Sequence, residues 1–423
     1  MSTHTRRQFL KRTAAAAAAP TILPSTVFGA NAPSNRVTIG MIGVGGHGTG
    51  VNLKGFLGVP DAHVIAVCDV FRDRREAARD LVNQKYGTSD CADCNDFREI
   101  LGRADIDAVA ISTPDHWHVP LSIYAARAGK DVFCEKPTLT IAEGRALMDV
   151  MRRTGVVYQG GIEDRSVIQY HRMAELARNG ALGRIERIHV TLPPGDLFPT
   201  EQPAPVPDGF DYDLWLGPAP YTPYTPTKTG AQEWRNSFDY SGGKLTDWGA
   251  HLMDTAQVAL FEELGGPVTI EGKGVFPENA MTTTALQYQI SYRYAGGAEL
   301  FVESGGTGIT IYGSDGWVGN SAWRRPLDAS DPDLLRVAFP PQDSKIWPMP
   351  PGEHQDFIDS VKSRQNPLYP PEAIHHLSTA MHLGNISMIL GRKLTWDPAK
   401  EEFPNDPEAN RLQSRAMRAP WTL

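Results

Sequence analysis

Four short stretches of the chain combine residue types that can do chemistry. Gly43-Val44-Gly45-Gly46-His47-Gly48 spells G-x-G-x-x-G between an apolar run and an amphipathic one. Gly43 permits a tight turn, Gly45 lets the backbone approach a diphosphate, and Gly48 allows close helix–strand contact. Gly46 and His47 complete the turn, whose helix N-terminus offers unpaired N–H groups to that anion. A glycine turn alone is a weak signal. Asp69 strengthens it, because it follows the next apolar run 21 residues after Gly48, where a carboxylate should meet an adenosine ribose diol. A carboxylate there repels a 2′-phosphate, so NAD is expected over NADP. Arg72, Arg74 and Arg75 follow closely and offer cations to such a phosphate, but they read first as the solvated face of a helix start.

The next two stretches also follow apolar runs: Thr113-Pro114-Asp115-His116-Trp117-His118, and Glu135-Lys136-Pro137. Ligands of open α/β sheets bind beyond the carboxyl ends of strands, so Thr113, Pro114, His118, Glu135 and Lys136 are expected to border the dinucleotide. Lys136 can steady negative charge developing on a reacting oxygen. In the last stretch, Asp247 and His251 stand at i and i+4 and should share one helix face. A carboxylate beside an imidazole sets its tautomer and suits it to removing a hydroxyl proton. Each feature has a plainer reading: a surface lysine at a proline turn, a capping aspartate, a half-buried structural histidine. Their convergence on one cofactor argues for alcohol oxidation.

The surrounding pattern supplies elements to position them. Strand-like apolar runs at 37–42, 64–68, 108–112, 131–134 and 156–158 are spaced by helical stretches at 73–86, 119–128 and 141–153. Such alternation predicts a doubly wound Rossmann domain with a parallel sheet. The composition changes near residue 160. Residues 193–226 are too proline-rich for regular structure, 286–302 reads as an antiparallel hairpin, and helices are predicted at 355–363 and 371–390. The fold class is therefore α/β: a Rossmann domain over 34–159 and an α+β domain with a mostly antiparallel open sheet over 160–423.

Residues 1–33 are expected to be an export segment. Arg6-Arg7-Gln8-Phe9-Leu10-Lys11 precedes an alanine-rich stretch and the cleavage-like Ala30-Asn31-Ala32. The paired arginines imply passage through the Tat translocase to the periplasm. Removing residues 1–30 takes away Arg6, Arg7, Lys11 and Arg12 and no acid, moving the net charge from -8 to -12. So acidic a body argues against nucleic acid as a partner, and no apolar run is long enough to span a bilayer. Cys91-Ala92-Asp93-Cys94 lies in an expected loop; it could close a disulfide in an oxidising compartment or be two inert thiols. A zinc site would need two further ligands nearby, and none follow, so no metal is expected.

In this order and spacing the four stretches resemble the glucose–fructose oxidoreductase/inositol dehydrogenase (Gfo/Idh/MocA) superfamily, from about Asn35 to the C-terminus. The run Tyr240-Ser241-Gly242-Gly243-Lys244-Leu245-Thr246-Asp247-Trp248-Gly249-Ala250-His251 is similar to its secreted bacterial branch. The resemblance implies a catalytic set of Lys136, Asp247 and His251, with Glu135 near the nicotinamide ribose. It also places Arg165 at the cofactor, although members often read Gln-Arg where this chain has Asp164-Arg165. The implied reaction is oxidation of a secondary alcohol on a sugar or cyclitol. His251 takes the proton, Asp247 orients it, and His116, Tyr240 and Trp248, joined by His118, line the polyol pocket. A homo-oligomer joined through the open sheet is implied too. Export would require NAD to be tightly bound and reset in place, by a second substrate or by a redox-neutral glycosidase cycle. The superfamily's α-N-acetylgalactosaminidases, however, carry Tyr-Pro-x-His where this chain has Asp247-Trp248-Gly249-Ala250-His251. A third possibility is a dinucleotide-holding sensor without turnover.

Overall fold

The computed structural model describes residues 35–260 and 265–423. The expected export segment lies outside the described residues. Six strands, β1 (Val37–Ile42), β2 (Ala62–Cys68), β3 (Ala92–Cys94), β4 (Ala108–Ile111), β5 (Asp131–Glu135) and β6 (Tyr158–Gly161), form one parallel sheet. Their order is β3-β2-β1-β4-β5-β6, with every pairing parallel. That order is the Rossmann arrangement, and its reversal between β1 and β4 opens a crevice at the strands' carboxyl ends. β4 and β5 are buried along their whole length, as strands covered on both faces must be.

The covering helices are α1 (Lys54–Gly58), α2 (Arg72–Tyr86), α3 (Phe97–Leu101), α4 (Asp115–Arg127) and α5 (Ile141–Thr154). Ahead of α1 the chain runs through a π-helical turn, Gly48–Leu53. Turns of this kind are often found at functional sites. α5 shows how local sequence sets a boundary. The Thr140 hydroxyl accepts the Glu143 N–H at 3.1 Å, and Gly155 closes the far end in the left-handed conformation.

After α6 (Ile168–Arg178) comes a second sheet. Its strands are β7 (Ile185–Leu192), β8 (Pro267–Val275), β9 (Gln287–Tyr294), β10 (Glu299–Ser304), β11 (Ile309–Gly313), β12 (Gly316–Asn320), β13 (Asp328–Ala329) and β14 (Leu394–Thr395). The order is β13-β12-β11-β7-β10-β9-β8-β14, antiparallel throughout except for the β7–β10 pair. β9 alternates strictly, with Tyr288, Ile290, Tyr292 and Tyr294 inward and Gln287, Gln289, Ser291 and Arg293 outward. One face is therefore packed and the other open. Between β7 and β8 lie α7 (Tyr212–Leu216), α8 (Lys244–Asp247) and α9 (Gly249–Leu260). After the sheet strands come α10 (Glu353–Ser363) and α11 (Pro371–Leu390), and α12 (Pro407–Arg411) follows β14. Among the described residues no helix is long and apolar enough to cross a membrane.

Three features depart from the sequence-based expectations. First, α10 belongs with the Rossmann sheet: Phe357, Ile358 and Val361 share a core with Ile39, Met41, Phe56 and Phe133. A boundary at residue 160 assigns that helix to the other domain. Secondly, Cys91 and Cys94 are free thiols, Cys91 just before the edge strand β3 and Cys94 at its end, and not loop partners. An extended strand separates i and i+3 by roughly 10 Å, beyond the reach of a disulfide. Thirdly, the proline-rich segment contains a short helix, α7, where no regular structure is expected, and it packs on the Rossmann domain. Phe210 stacks on Phe71 with centroids 3.9 Å apart and planes 9° apart, and the Asn95 amide donates to Asp211 at 2.8 Å.

Candidate active site

The carboxyl ends of the Rossmann strands open into a cavity of about 990 Å³, whose other wall comes from the second domain. Gly43, Gly45, Gly46, His47 and Gly48 border it after β1. The glycines differ in what demands them. Gly43 has φ +86°, and a Cβ there would lie 2.6 Å from the Ser112 carbonyl oxygen. A Cβ on Gly48 would meet the Gly43 carbonyl oxygen at 2.3 Å. At Gly45 a Cβ would meet nothing closer than an Arg74 nitrogen at 3.5 Å. The fold requires the first two glycines; at Gly45 the open space is cavity, and a diphosphate fits there.

Asp69 ties this turn down. Its Oδ2 accepts the Val44 N–H at 2.8 Å and its Oδ1 accepts the Phe71 N–H at 2.9 Å. Burial pushes its carboxyl up, against the pull of those N–H groups and of the Arg74 charge. Each oxygen retains a lone pair for a ribose hydroxyl. Arg74 stacks over Phe71 at 3.7 Å and borders the cavity, not only the solvated face of its helix.

Glu135 and Lys136 follow β5. Glu135 Oε1 accepts from Asn52 at 2.8 Å and pairs with His47 at 2.9 Å. Burial works to raise its carboxyl, but the His47 and Lys136 charges and these bonds outweigh it and hold the group at about 2. Lys136 Nζ donates to the Asp247 carbonyl oxygen at 2.9 Å and lies 3.1 Å from Asp247 Oδ1. Arg235 Nε stands 3.4 Å from the same oxygen. Burial would lower the lysine, yet Asp247 and Glu135 prevail and raise it, while Asp247 is lowered by Lys136 and Arg235 despite its own burial. Lys136 is thus a fixed cation on the wall of the cavity.

His251 also borders the cavity, but its orienting partner is not Asp247. Its Nδ1 lies 2.6 Å from Asp164 Oδ2, and Trp323 Nε1 donates to Asp164 Oδ1 at 3.2 Å. The expected i, i+4 pairing is lost because the helix breaks at Trp248. The His251 N–H bonds the Trp248 carbonyl, and Asp247 ends α8 turned toward Lys136. Glu163, Asp164 and His251 place ligand-type atoms within 4.8 Å of one another, but Glu163 is engaged by Arg324 at 3.0 Å and the other two by each other.

Thr113, Pro114, His118 and Trp248 border the cavity. The His118 ring nitrogens face the Pro137 and Thr113 carbonyls at 2.9 and 2.8 Å, which ties the Thr113 loop to the Lys136 turn. Three expected residues stand elsewhere. His116 is fully buried with Nε2 against the Trp215 carbonyl at 2.9 Å, because α4 begins at Asp115 and carries it inward; burial lowers it to about 3. Tyr240 is buried behind it, with its hydroxyl 3.2 Å from Thr222 Oγ1. Arg165 is turned away from the cavity into a two-bond pair with Asp254, at 3.0 and 2.8 Å. Arg165 therefore fixes the turn that presents Asp164 and makes no wall of the cavity. Asp164, Arg235 and Trp323 were missed. Asp164 was in reach, since it follows β6 at the sheet's carboxyl edge, but nothing in the sequence marked Trp323.

Residues 37–162 match the oxidoreductase family Gfo/Idh/MocA in its NAD-binding Rossmann fold, and residues 199–423 match the same family's C-terminal alpha/beta domain. The chain is 33% identical over 156 residues to an inositol 2-dehydrogenase of Rhizobium meliloti, covering 37% of this chain and 44% of that one. It is 37% identical over 136 residues to an alpha-N-acetylgalactosaminidase of Shewanella oneidensis, covering 30% and 29%. In each case the match spans under half of the curated relative. An aldose–aldose oxidoreductase of Caulobacter crescentus, solved with glycerol, shares the fold with a TM-score of 0.61 at 17% identity, over 85% of this chain and 99% of that one.

Proposed function

On the premise that the chain belongs to the Gfo/Idh/MocA oxidoreductase family, we propose that it oxidises a secondary alcohol of a sugar or cyclitol, with NAD preferred over NADP. One observation carries this: Lys136 and His251, from different domains, border the same cavity as the glycine turn. NAD, when bound, supplies the hydride acceptor, and Gly43–Gly48, Asp69, Arg74, Thr113, Pro114 and Glu135 are the residues that would hold it. Since Lys136 is kept cationic by Asp247, it steadies the substrate oxygen and takes no proton. The base is then His251, whose Nδ1 is engaged by Asp164 while its other nitrogen is left for a substrate hydroxyl. Trp248 and Trp323 stand edge to face beside it, at 5.6 Å, and offer apolar surface to a sugar's C–H face.

The test is NADH formation from a panel of polyols by the mature protein. Lys136→Met and His251→Gln should each lower kcat by about 10²-fold or more and leave NAD affinity within about threefold. Full turnover in either variant would refute the assignment. The relative from Shewanella oneidensis favours a second reading, redox-neutral glycoside cleavage. Release of aglycone from aryl glycosides without net NADH would replace the first reading with this one. Both readings sit with export through the Tat route to the periplasm with cofactor already loaded, and with a homo-oligomer formed through the open face of the second sheet.

A further inference from the structure

The site contains two separate acid–base pairs where its sequence suggests one chained set. Asp247 is committed to Lys136 and Arg235. The imidazole of His251 is held by Asp164, which reaches it from the turn after β6, at the opposite side of the domain junction. Asp164 is 1% exposed, and both its oxygens are engaged, Oδ2 by His251 and Oδ1 by the Trp323 indole. Its backbone is fixed in turn. The Arg165 N–H donates to the Tyr369 hydroxyl at 2.9 Å, and the Arg165 guanidinium grips buried Asp254.

We propose that Asp164 is the positioning residue for the base, holding His251 as the Nδ1–H tautomer with Nε2 presented to the substrate hydroxyl. The inference rests on the dehydrogenase reading for its kinetic consequence but not for its geometry. A buried carboxylate that accepts from one ring nitrogen fixes both the proton's location and the ring's rotation. At 2.6 Å the contact is short enough to hold the ring in one orientation. As substrate gives up its proton to Nε2, the imidazolium that forms faces a carboxylate already in place. The Trp323 indole N–H holds the other oxygen of that carboxylate. Asp247 does not substitute: it makes no bond to His251, and its charge is balanced by two cations.

The experiment uses the full mature protein with NAD bound and histidine labelled with ¹⁵N. The His251 ring signals are assigned by their loss in His251→Gln, and spectra are recorded at about pH 8. The wild type should show His251 protonated at Nδ1 alone. Asp164→Ala and Asp164→Asn should transfer a major fraction to the Nε2–H form, whereas Asp247→Asn should leave the tautomer unchanged. With myo-inositol as the kinetic probe, the Asp164 variants should lose about 10²- to 10³-fold in kcat, with KM and bound NAD changed less than about threefold. If Asp164→Ala does not fold, the isosteric Asn variant decides. An unchanged tautomer in a folded Asp164 variant overturns the proposal even if polyols are turned over. Absence of wild-type turnover across the whole polyol panel, with the expected tautomer shift, would instead sink the dehydrogenase reading and leave Asp164's role standing.

Discussion

Among the single residues of the cavity, Asp115 has the most measurable behaviour. It begins α4, is 3% exposed, and accepts the Ser241 hydroxyl at 2.6 Å. Burial lifts its carboxyl to about 6, against the opposing charges of His118 and Arg235. A carboxyl raised on folding makes the native state bind more protons than the unfolded one. Its penalty is therefore absent below about pH 4, grows as pH rises toward 6, and is complete above that. Asp115→Asn keeps an acceptor for Ser241 and removes the charge, so it should stabilise the protein by roughly 1–3 kcal/mol at pH 8 and by little at pH 4. Thermal melts at the two pH values check this; equal effects at both would contradict the assigned cause. The same carboxylate belongs to the Thr113–His118 stretch that sequence reading singled out. That reading chose His116 as the wall residue, because it cannot tell which side of a helix's first turn faces the cavity.

At the scale of the element, the glycine turn separates two kinds of requirement. Gly43→Ala combines a positive φ with a backbone clash, and Gly48→Ala clashes with backbone alone. Each should cost at least about 1–3 kcal/mol. Gly45→Ala meets only cavity, so its melting temperature should stay within about 2 °C of wild type while NAD affinity falls by about tenfold or more. Calorimetry and NAD titration separate the two, and a large loss of stability in Gly45→Ala would show that the turn itself needs that glycine. The turn and its Asp69 were legible because both work through backbone over some 30 residues of one βαβ unit. The helix carrying Asp247 and His251 was half legible. Its existence was marked by periodicity, but the break at Trp248 sent the two side chains to different partners.

At the scale of the molecule, the two domains are interleaved. α10 returns from beyond the second sheet to cover β1, and Phe357 is fully buried with Phe56 and Phe133 at centroid distances of 6.1 and 5.8 Å. Phe357→Ala should destabilise the protein by about 3–5 kcal/mol. Residues 35–165 expressed alone should fail to give a two-state melt, a result that sedimentation and calorimetry can deny. The proline-rich segment crosses in the other direction, and its Phe210 stacks on Phe71, which borders the cavity near Asp69. Phe210→Ala should speed NAD release several-fold in stopped-flow fluorescence and leave kcat at saturating NAD within about twofold. Equal release rates would remove any role for the segment in retaining cofactor.

The sequence by itself determined whatever depends on neighbours along the chain: alternating strands and helices, a glycine turn with its carboxylate, and the types of residue at the strand ends. Those are set by backbone sterics and by periodic burial, and both are written locally. Only the tertiary structure decided which carboxylate serves the lysine and which the imidazole. It also decided that Arg165 and His116 stay inside the protein, and that a helix from residue 353 onward completes the first domain. Each of these is a choice among chemically equivalent partners brought together from 85 or more residues apart, as Asp164 and His251 are. Packing settles such choices, and no short-range pattern encodes them.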